Sequence, residues 1–548
     1  MLTMAQAPIG WWPLAWVAYV PFIIVCLTES KPLPKKNAPD PFFIAAYVVA
    51  AGYWLGNLYW IGFVTVSGWI AFCLYTAILW PILAITLRWC RAKQIPLVIA
   101  VPILVVGIER TQGLLLGGFY WDYLAHSQYA NTSLIQIADI FGAGGVSFLV
   151  AMVNGVVAEI IFSIRDKTSG LKHTLQGILV AAAVVGAIAY GKWRIEQSDK
   201  YIKAGPMIGA VQTNVAQSVK QSFAAEGQIL EELISESNQC IPAGVKFIAW
   251  PETMVQAILE PQVLRLLEDT HSYKVFDKVI RKEAEKGAYI LVGGYGGTPR
   301  VDENNFDIRM AQKFNTAFLY KPDGNQSPQK YYKIHLVPFG EYIPFTDIPL
   351  IHNLLLKMTP YDFDYTLDAG TEYTVFEMQP EQYKFSVIIC YEDAVPDSTR
   401  RFALDTEGRK RIDWLVNISN DGWFVRFKND KVMPSTELAQ HTIVCAFRAV
   451  ENRLAILRSV NTGISCMIDS LGRIRDGYTA GNLPKNAFDR KGVGGWFADS
   501  VPIDSRITFF SKHGQWLDLS CQLCLAGMII MQIIERFGKK RASKNTGK

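Results

Sequence analysis

The sequence predicts a polytopic α-helical membrane bundle joined to a layered α/β domain. Two observations predict it: the uneven spread of charge and a change in the period of the apolar residues. Only 19% of the 548 residues are Asp, Glu, Lys or Arg, against about 25% in an ordinary soluble domain. The first 190 residues hold 17 of these side chains, or 9%; the other 358 hold 86, or 24%. A composition that is 50% hydrophobic, with 9 Cys in the whole chain, excludes a disordered chain and a small disulfide scaffold.

The first half carries apolar runs at 10–28, 43–63, 68–88, 97–115, 141–164 and 174–192, and a seventh lies at 515–535. Each is near the roughly 20 residues that a helix needs to cross a bilayer. No charged n-region or small-residue cleavage site marks the first run as a signal peptide. Basic residues alternate between loops. Lys31, Lys35 and Lys36 follow the first run, Arg88, Arg91 and Lys93 the third, and Arg165, Lys167 and Lys172 the fifth. The turns 64–67 and 116–140 hold no Lys or Arg, and the tail 536–548 is strongly basic. The basic loops face the cytoplasm, so the N-terminus and the 195–510 segment are expected on the opposite side. In a Gram-negative cell that side is the periplasm, and the host membrane is the inner, cytoplasmic one. Glu109 and Arg110 are the charged residues deepest in an expected span. Such residues mark function by default, although satisfaction within the bundle explains them as well. There is no internal repeat and little intramembrane charge to suggest a transporter.

Between 205 and 485 short β-rich runs alternate with polar stretches of helical pattern. Strands are expected at Met207–Val215, Lys246–Pro251, Ala288–Gly293, Asn315–Tyr320, Phe385–Cys390, Trp414–Ser419 and Ile456–Ile468, and helices at 223–238, 261–286 and 433–452. Lys321-Pro-Asp-Gly324 and Ser470-Leu-Gly472 read as hairpin turns. The boundaries are therefore a helical bundle at 1–194, a layered α/β domain at 205–485, a connecting segment at 486–514, a last transmembrane helix at 515–535 and a basic tail at 536–548.

Three polar residues stand at the ends of apolar strands. Glu252 closes Phe247-Ile-Ala-Trp-Pro-Glu252. Lys333 opens Lys333-Ile-His-Leu-Val-Pro-Phe-Gly-Glu341. Cys390 ends Phe385-Ser-Val-Ile-Ile-Cys390 and precedes Tyr391, Glu392 and Asp393. A nucleophilic thiol needs a base and a neighbouring cation, and these residues are the candidates, although each one alone also reads as a turn or structural residue. Cys521-x-x-Cys524 falls in the last span and reads as packing. Cys240, Cys445 and Cys466 have no polar company in the sequence. Glu437-x-x-x-His441 reads as a pair on a helix surface. The 7 His show no zinc spacing, and Gly293-Gly-Tyr-Gly-Gly297 does not fit a dinucleotide fingerprint. No metal, cofactor or nucleic-acid partner is expected.

Taken together, Trp-Pro-Glu252, Lys333-Ile-His-Leu-Val-Pro-Phe-Gly-Glu341-Tyr-Ile-Pro and Ile-Cys390-Tyr-Glu resemble the Glu–Lys–Cys triad of the nitrilase (carbon–nitrogen hydrolase) superfamily. Set on a membrane bundle, with Trp12-Pro-Leu-Ala-Trp16, Gly118-Phe-Tyr-Trp121, Asn420-Asp-Gly-Trp-Phe424, Phe447-Arg-Ala-Val-Glu451 and Arg458-Ser-Val-Asn461-Thr-Gly463, the chain resembles the apolipoprotein N-acyltransferase family within it. The resemblance implies a nitrilase-like α-β-β-α sandwich. It also implies transfer of an acyl chain from a membrane phospholipid, through a Cys thioester, to the N-terminal amine of a diacylated apolipoprotein, by a protein working as a monomer. Carried over, Cys390 is the nucleophile, Glu252 the general base and Lys333 the oxyanion stabiliser. Glu341, Tyr391 and Glu392 would support them, and Trp121, Asn315 and Trp423 would bind substrate. The aromatic segment from Gly118 to Tyr129 would form a rim for acyl chains, and 340–375 and 421–435 would be lids. The alternative is a membrane-tethered amidase that passes its acyl group to water.

Two departures from the family pattern stand out. Its members usually have eight membrane helices, and this chain begins where their second would. They also commonly carry a Trp where Gln221 stands; the aromatic Phe223 lies two residues on, and the sequence alone does not assign it that place.

Overall fold

The computed structural model describes residues 1–28, 41–167, 170–217, 223–301, 308–345, 348–357, 365–428 and 431–545. Lys31, Lys35, Lys36 and Gln221, and the side chain of Phe223, lie outside the described residues. The chain divides into two compact units. One comprises Met1–Tyr59, Trp69–Ile195 and His513–Lys548, and the other Trp60–Gly68 and Glu196–Lys512.

The first unit is helical. Among the described residues, four helices are long and apolar enough to cross a membrane: Val66–Ala92, Ala138–Arg165, Leu171–Glu196 and Trp516–Gly538. Three of the seven expected spans form shorter apolar helices, Trp12–Leu27, Phe43–Asn57 and Leu97–Gln112. The first is broken by its prolines into a 3₁₀ turn, Trp12–Trp16, and an α-helix, Val20–Leu27. Asn154 satisfies the backbone freed by that break: its amide donates to Ala15 O at 2.9 Å and its carbonyl accepts from Tyr19 N at 2.8 Å. Glu109 and Arg110 each make a hydrogen bond within the bundle. Glu109 accepts the Leu124 N–H at 2.6 Å, and Arg110 donates to Gln515 at 2.8 Å.

The second unit is an α-β-β-α sandwich. Its strands are β1 (Ile202–Gln212), β2 (Phe247–Ala249), β3 (Tyr289–Val301), β4 (Ile308–Tyr320), β5 (Gln326–Tyr332), β6 (Phe376–Met378), β7 (Tyr383–Ile389), β8 (Trp414–Asn420), β9 (Arg426–Lys428), β10 (Lys431–Met433), β11 (Ala455–Asn461), β12 (Cys466–Ile468), β13 (Ala480–Gly481) and β14 (Gly495–Asp504). One sheet runs β13-β14-β1-β2-β3-β4-β5 and the other β12-β11-β8-β7-β6; β9 and β10 form a separate hairpin.

Period-2 alternation decides which side chains face which layer. Phe247, Ala249 and Leu291 point into the core between the sheets, with Phe385, Trp414 and Val416 of the second sheet opposite them. Ile248, Trp250, Ile290 and Val292 point the other way, onto helices Phe223–Cys240 and Ser272–Ala284. Helices Pro396–Ala403 and Glu437–Asn452 cover the second sheet through Phe402, Cys445 and Ala449.

Three of the structure's departures from the sequence expectation concern segments that the sequence did assign. The 261–286 helix is two, Pro261–Leu264 and Ser272–Ala284, separated by a turn in which the His271 ring accepts from Tyr273 N. The expected strand Ile456–Ile468 is the antiparallel pair β11–β12, because Thr462 at φ 60° and Gly463 turn the chain back. The segment 486–514 is no mere connector. It contains β14, which pairs antiparallel with β1 over Ile202–Gln212 and lies inside the seven-stranded sheet.

Candidate active site

The strands β1, β2 and β3 run parallel to one another, as do β7, β8 and β11. Open α/β sheets gather ligands beyond the C-terminal ends of such strands, and the polar residues of this unit collect there. Glu252 follows β2, Lys333 follows β5, Cys390 follows β7 and Asn420 ends β8. The Glu252 loop can lie close to β3 because residue 293 is glycine; a Cβ there would stand 2.6 Å from Pro251 O and 2.8 Å from Glu252 Cα.

The two carboxylates and the lysine form one buried network. Lys333 Nζ lies 2.8 Å from Glu341 Oε2 and 3.5 Å from Glu252 Oε1. Asn315, on β4, donates to Glu252 Oε1 at 2.6 Å and to Glu341 Oε1 at 2.9 Å. The second oxygen of Glu252 accepts the Asn420 N–H at 3.0 Å, and that of Glu341 accepts the Val337 N–H at 2.9 Å. Burial alone would drive the Lys333 ammonium toward neutrality. Glu341 and Glu252 overcome it and hold the ammonium charged, well above the ordinary lysine value. Within 340–375, Gly370 and Leu367 are tied to this network, with Gly370 N donating to Lys333 O and Leu367 N to Glu341 O, each at 2.8 Å.

Cys390 opens a 3₁₀ turn, Cys390–Asp393, at φ 52°, a conformation that costs a non-glycine residue on the order of 1 kcal/mol. Glu392 secures the turn. Fully buried, it accepts from Ile389 N at 2.8 Å, Ile334 N at 2.8 Å, His335 N at 2.9 Å and the Tyr331 hydroxyl at 2.8 Å. One carboxylate thus holds the Cys390 turn against the segment that follows Lys333. Cys390 itself is partly open. Desolvation by its neighbours and the charge of Glu252 push its thiol up, and Lys333 and His441 oppose them without prevailing. The resting thiol is therefore protonated.

Asn315, expected to bind substrate, donates its amide to both carboxylates. Trp121 belongs to the helical unit and is 2% exposed, with its ring stacked on Phe119 at 6.1 Å and its carbonyl accepting from Gln112 at 2.9 Å. Packing takes up its surface. Trp423 is half-buried in the turn Asp421–Phe424, and Tyr391 is half-buried with its ring 6.1 Å from that of His335.

Sequence reasoning misread one group. Glu437 and His441 are not a surface pair; they are 1% and 2% exposed. His441 Nε2 lies 2.8 Å from Asp393 Oδ1, and Nδ1 lies 3.3 Å from both Asp421 Oδ1 and Glu437 Oε1. Arg458 pairs with the other oxygen of Asp393. Cys445, which has no polar company in the sequence, hydrogen-bonds Asp393 here. An i,i+4 charge pair resembles solvated helix surface, and only the approach of two other turns distinguishes it. Potential ligand atoms of Asp421, Glu437 and His441 lie within 4.8 Å of one another, but Arg458 and the imidazole already supply positive charge there.

A family model described as carbon–nitrogen hydrolase matches residues 207–483, and one described as apolipoprotein N-acyltransferase N-terminal domain matches 1–156. Among curated relatives, the apolipoprotein N-acyltransferase of Geobacter metallireducens is 28% identical over 533 residues, covering 95% of this chain and 90% of its own. That of Rhodopseudomonas palustris is 24% identical over 494 residues, covering 86% and 84%. Among solved structures, an amidase from Nesterenkonia sp. aligns at a TM-score of 0.33 and 14% identity, over 55% of this chain and 92% of that one.

Proposed function

The chain belongs to the carbon–nitrogen hydrolase family and carries an apolipoprotein N-acyltransferase N-terminal domain, and from that premise we propose the route by which it N-acylates lipoproteins. Glu252 takes the proton of the Cys390 thiol as the sulfur attacks the ester carbonyl of a membrane phospholipid. The tetrahedral oxyanion forms beside the Lys333 ammonium. Its collapse breaks the ester C–O bond, and Glu252 returns the proton to the departing lysophospholipid alkoxide. The thioester is then attacked by the α-amine of a diacylglyceryl-cysteine and Glu252 accepts the amine proton; the C–S bond breaks, Glu252 passes that proton to the departing thiolate, and the amide and free thiol result. A thiol held neutral at rest requires the base to act during attack, and a charged lysine in a water-poor site stabilises the oxyanion without reorganising.

The observation that carries this reading is the convergence of Glu252 and Glu341 on both the Asn315 amide and the Lys333 ammonium, in the electrostatic neighbourhood of Cys390. Trp423 and Tyr391, half-buried near the same turns, are the substrate contacts we assign. The enzyme is a membrane protein. We place it in the bacterial inner membrane with the catalytic unit on the periplasmic side, on the strength of the basic loops at Arg88–Lys93 and Arg165–Lys172.

The test is acyl trapping with labelled phospholipid. Wild-type protein should acquire acyl label and pass it to the amine of a diacylated lipopeptide, and Cys390→Ala should acquire none. Release of the label to water alone would make the protein a tethered amidase, and labelling that survives in Cys390→Ala would refute the thioester.

A further inference from the structure

The catalytic network rests on two turns, and a single side chain joins them. The first is Cys390–Asp393, which carries the nucleophile. The second is Asp421–Phe424, which follows directly on Asn420, the residue whose N–H holds Glu252 Oε2 at 3.0 Å. His441, on the buried helix Glu437–Asn452, reaches Asp393 of the first turn through Nε2 and Asp421 of the second through Nδ1. Asp421 is held in turn by the Ser419 hydroxyl at 2.9 Å. Asn420 is held by Asn461 Nδ2 at 2.7 Å.

We propose that His441 is a positioning residue for acyl transfer, an imidazolium that donates to Asp393 and Asp421 at once and so sets Cys390 relative to Glu252. This deepens the reading above and rests on Cys390 being the acyl carrier. The charge count supports it. The groups that face His441 are Asp393 from the Cys390 turn, Asp421 from the second turn, Arg458 from β11, and Glu437 and Cys445 from its own helix. Two aspartates against one guanidinium leave room for one more positive charge in a site closed to water. Desolvation disfavours that charge on His441, but Asp393 and Asp421 outweigh it and raise the imidazole well above its ordinary value. Glu437, pushed up to about 7 by burial and by Asp421, is a carboxylate that can stay neutral there. The same positive charge opposes the rise of the Cys390 thiol, so His441 affects both the position and the reactivity of the sulfur.

The test separates these effects from loss of fold, and part of it needs no lipid. In detergent-purified full-length protein, iodoacetamide alkylation of Cys390 is followed against pH, with the label located by peptide mapping. His441→Gln should shift the profile to higher pH. It should also lower the rate of acyl-enzyme formation by tenfold or more, toward the roughly 10²-fold loss that small misplacements cause, with KM for phospholipid unchanged. Asp421→Asn, which keeps the size of the side chain but loosens the second tie, should lower kcat and leave KM unchanged even if His441→Gln does not fold. An unaltered alkylation profile in His441→Gln, or wild-type kcat in Asp421→Asn, would overturn the proposal. So would a stoichiometric divalent metal in the wild-type protein, because a metal on Nδ1 excludes the proton there. If the alkylation profile shifts as expected but wild-type protein never acquires acyl label, the acyltransfer route fails and takes the role in acyl transfer with it, while the tie of His441 to the Cys390 turn stands.

Discussion

At the scale of single residues, Glu252 has two effects of opposite sign. Its negative charge raises the Cys390 thiol, and as a base it accelerates attack. Glu252→Gln should therefore speed alkylation of Cys390 at a fixed pH near 8 while slowing acyl-enzyme formation by about 10²–10⁴-fold. A parallel fall in both rates would argue against the base. Asn315→Leu removes the bridge between two buried carboxylates, each of which loses a charge-assisted hydrogen bond, so about 1.5–3 kcal/mol of stability per bond is at stake. Thermal unfolding and acyl-enzyme formation should both report that loss. Asp393 gives a pH signature. Burial opposes its ionisation, but His441 and Arg458 prevail and hold the carboxyl below its ordinary value. A carboxylate lowered on folding contributes stability that is present above the unfolded value of about 3.9 and is lost as pH falls through the folded one. Wild type should therefore lose denaturant resistance below about pH 4 more steeply than Asp393→Asn. The three strand-end residues were legible in the sequence, since a Glu, a Lys and a Cys each follow an apolar run. The roles of Asn315, Glu392 and His441 were not legible as such, because each depends on partners at least 48 residues away in the chain: Glu252, Tyr331 and Asp393.

At the scale of elements, apolar strands were easy to read and polar ones were not. The expected Phe385–Cys390 and Trp414–Ser419 match β7 and β8 to within two residues at either end, because strands buried on both faces are nearly all apolar. By contrast, β5 reads Gln-Ser-Pro-Gln-Lys-Tyr-Tyr and is hidden by its own polarity; as the edge of its sheet it tolerates Pro328. Both expected hairpin turns close. Lys321 N donates to Asn325 O at 2.9 Å and Asp469 N to Arg473 O at 3.1 Å. The tight passage of the Glu252 loop over β3 yields a prediction at this scale. Gly293→Val should displace that loop, because the added atoms meet backbone at 2.6–2.8 Å. Acyl transfer should fall far more than the melting temperature, and a variant with normal kcat would refute the displacement.

At the scale of the whole molecule, the boundary in charge density near residue 190 matches the boundary between the compact units near residue 195. Charge density alone missed Trp60–Gly68, an apolar segment that belongs to the catalytic unit: Trp60 packs edge-on to Phe424 at 4.9 Å, and Arg426 lies 4.3 Å over Phe63. It also missed β14, because a short run containing Asp499, Ser500 and Pro502 carries little β signal. Chains ending at 490 should expose β1 to proteolysis, whereas chains ending at 512 should protect it; equal protection would contradict the pairing of β14 with β1.

That pairing has a bearing on time. Every residue assigned to the chemistry up to Trp423 leaves the ribosome before Gly495 does, yet β1 gains its partner on one side only when Gly495–Asp504 arrives. At synthesis rates of about 5–20 residues per second, the stretch from Cys390 to Asp504 takes on the order of ten seconds to make. Throughout that interval the thiol exists in a sheet still open along one strand. The enzyme is thus a product of its last hundred residues: maturation of the site waits on the tail of translation, and an interrupted chain holds every reactive group but no finished framework for them.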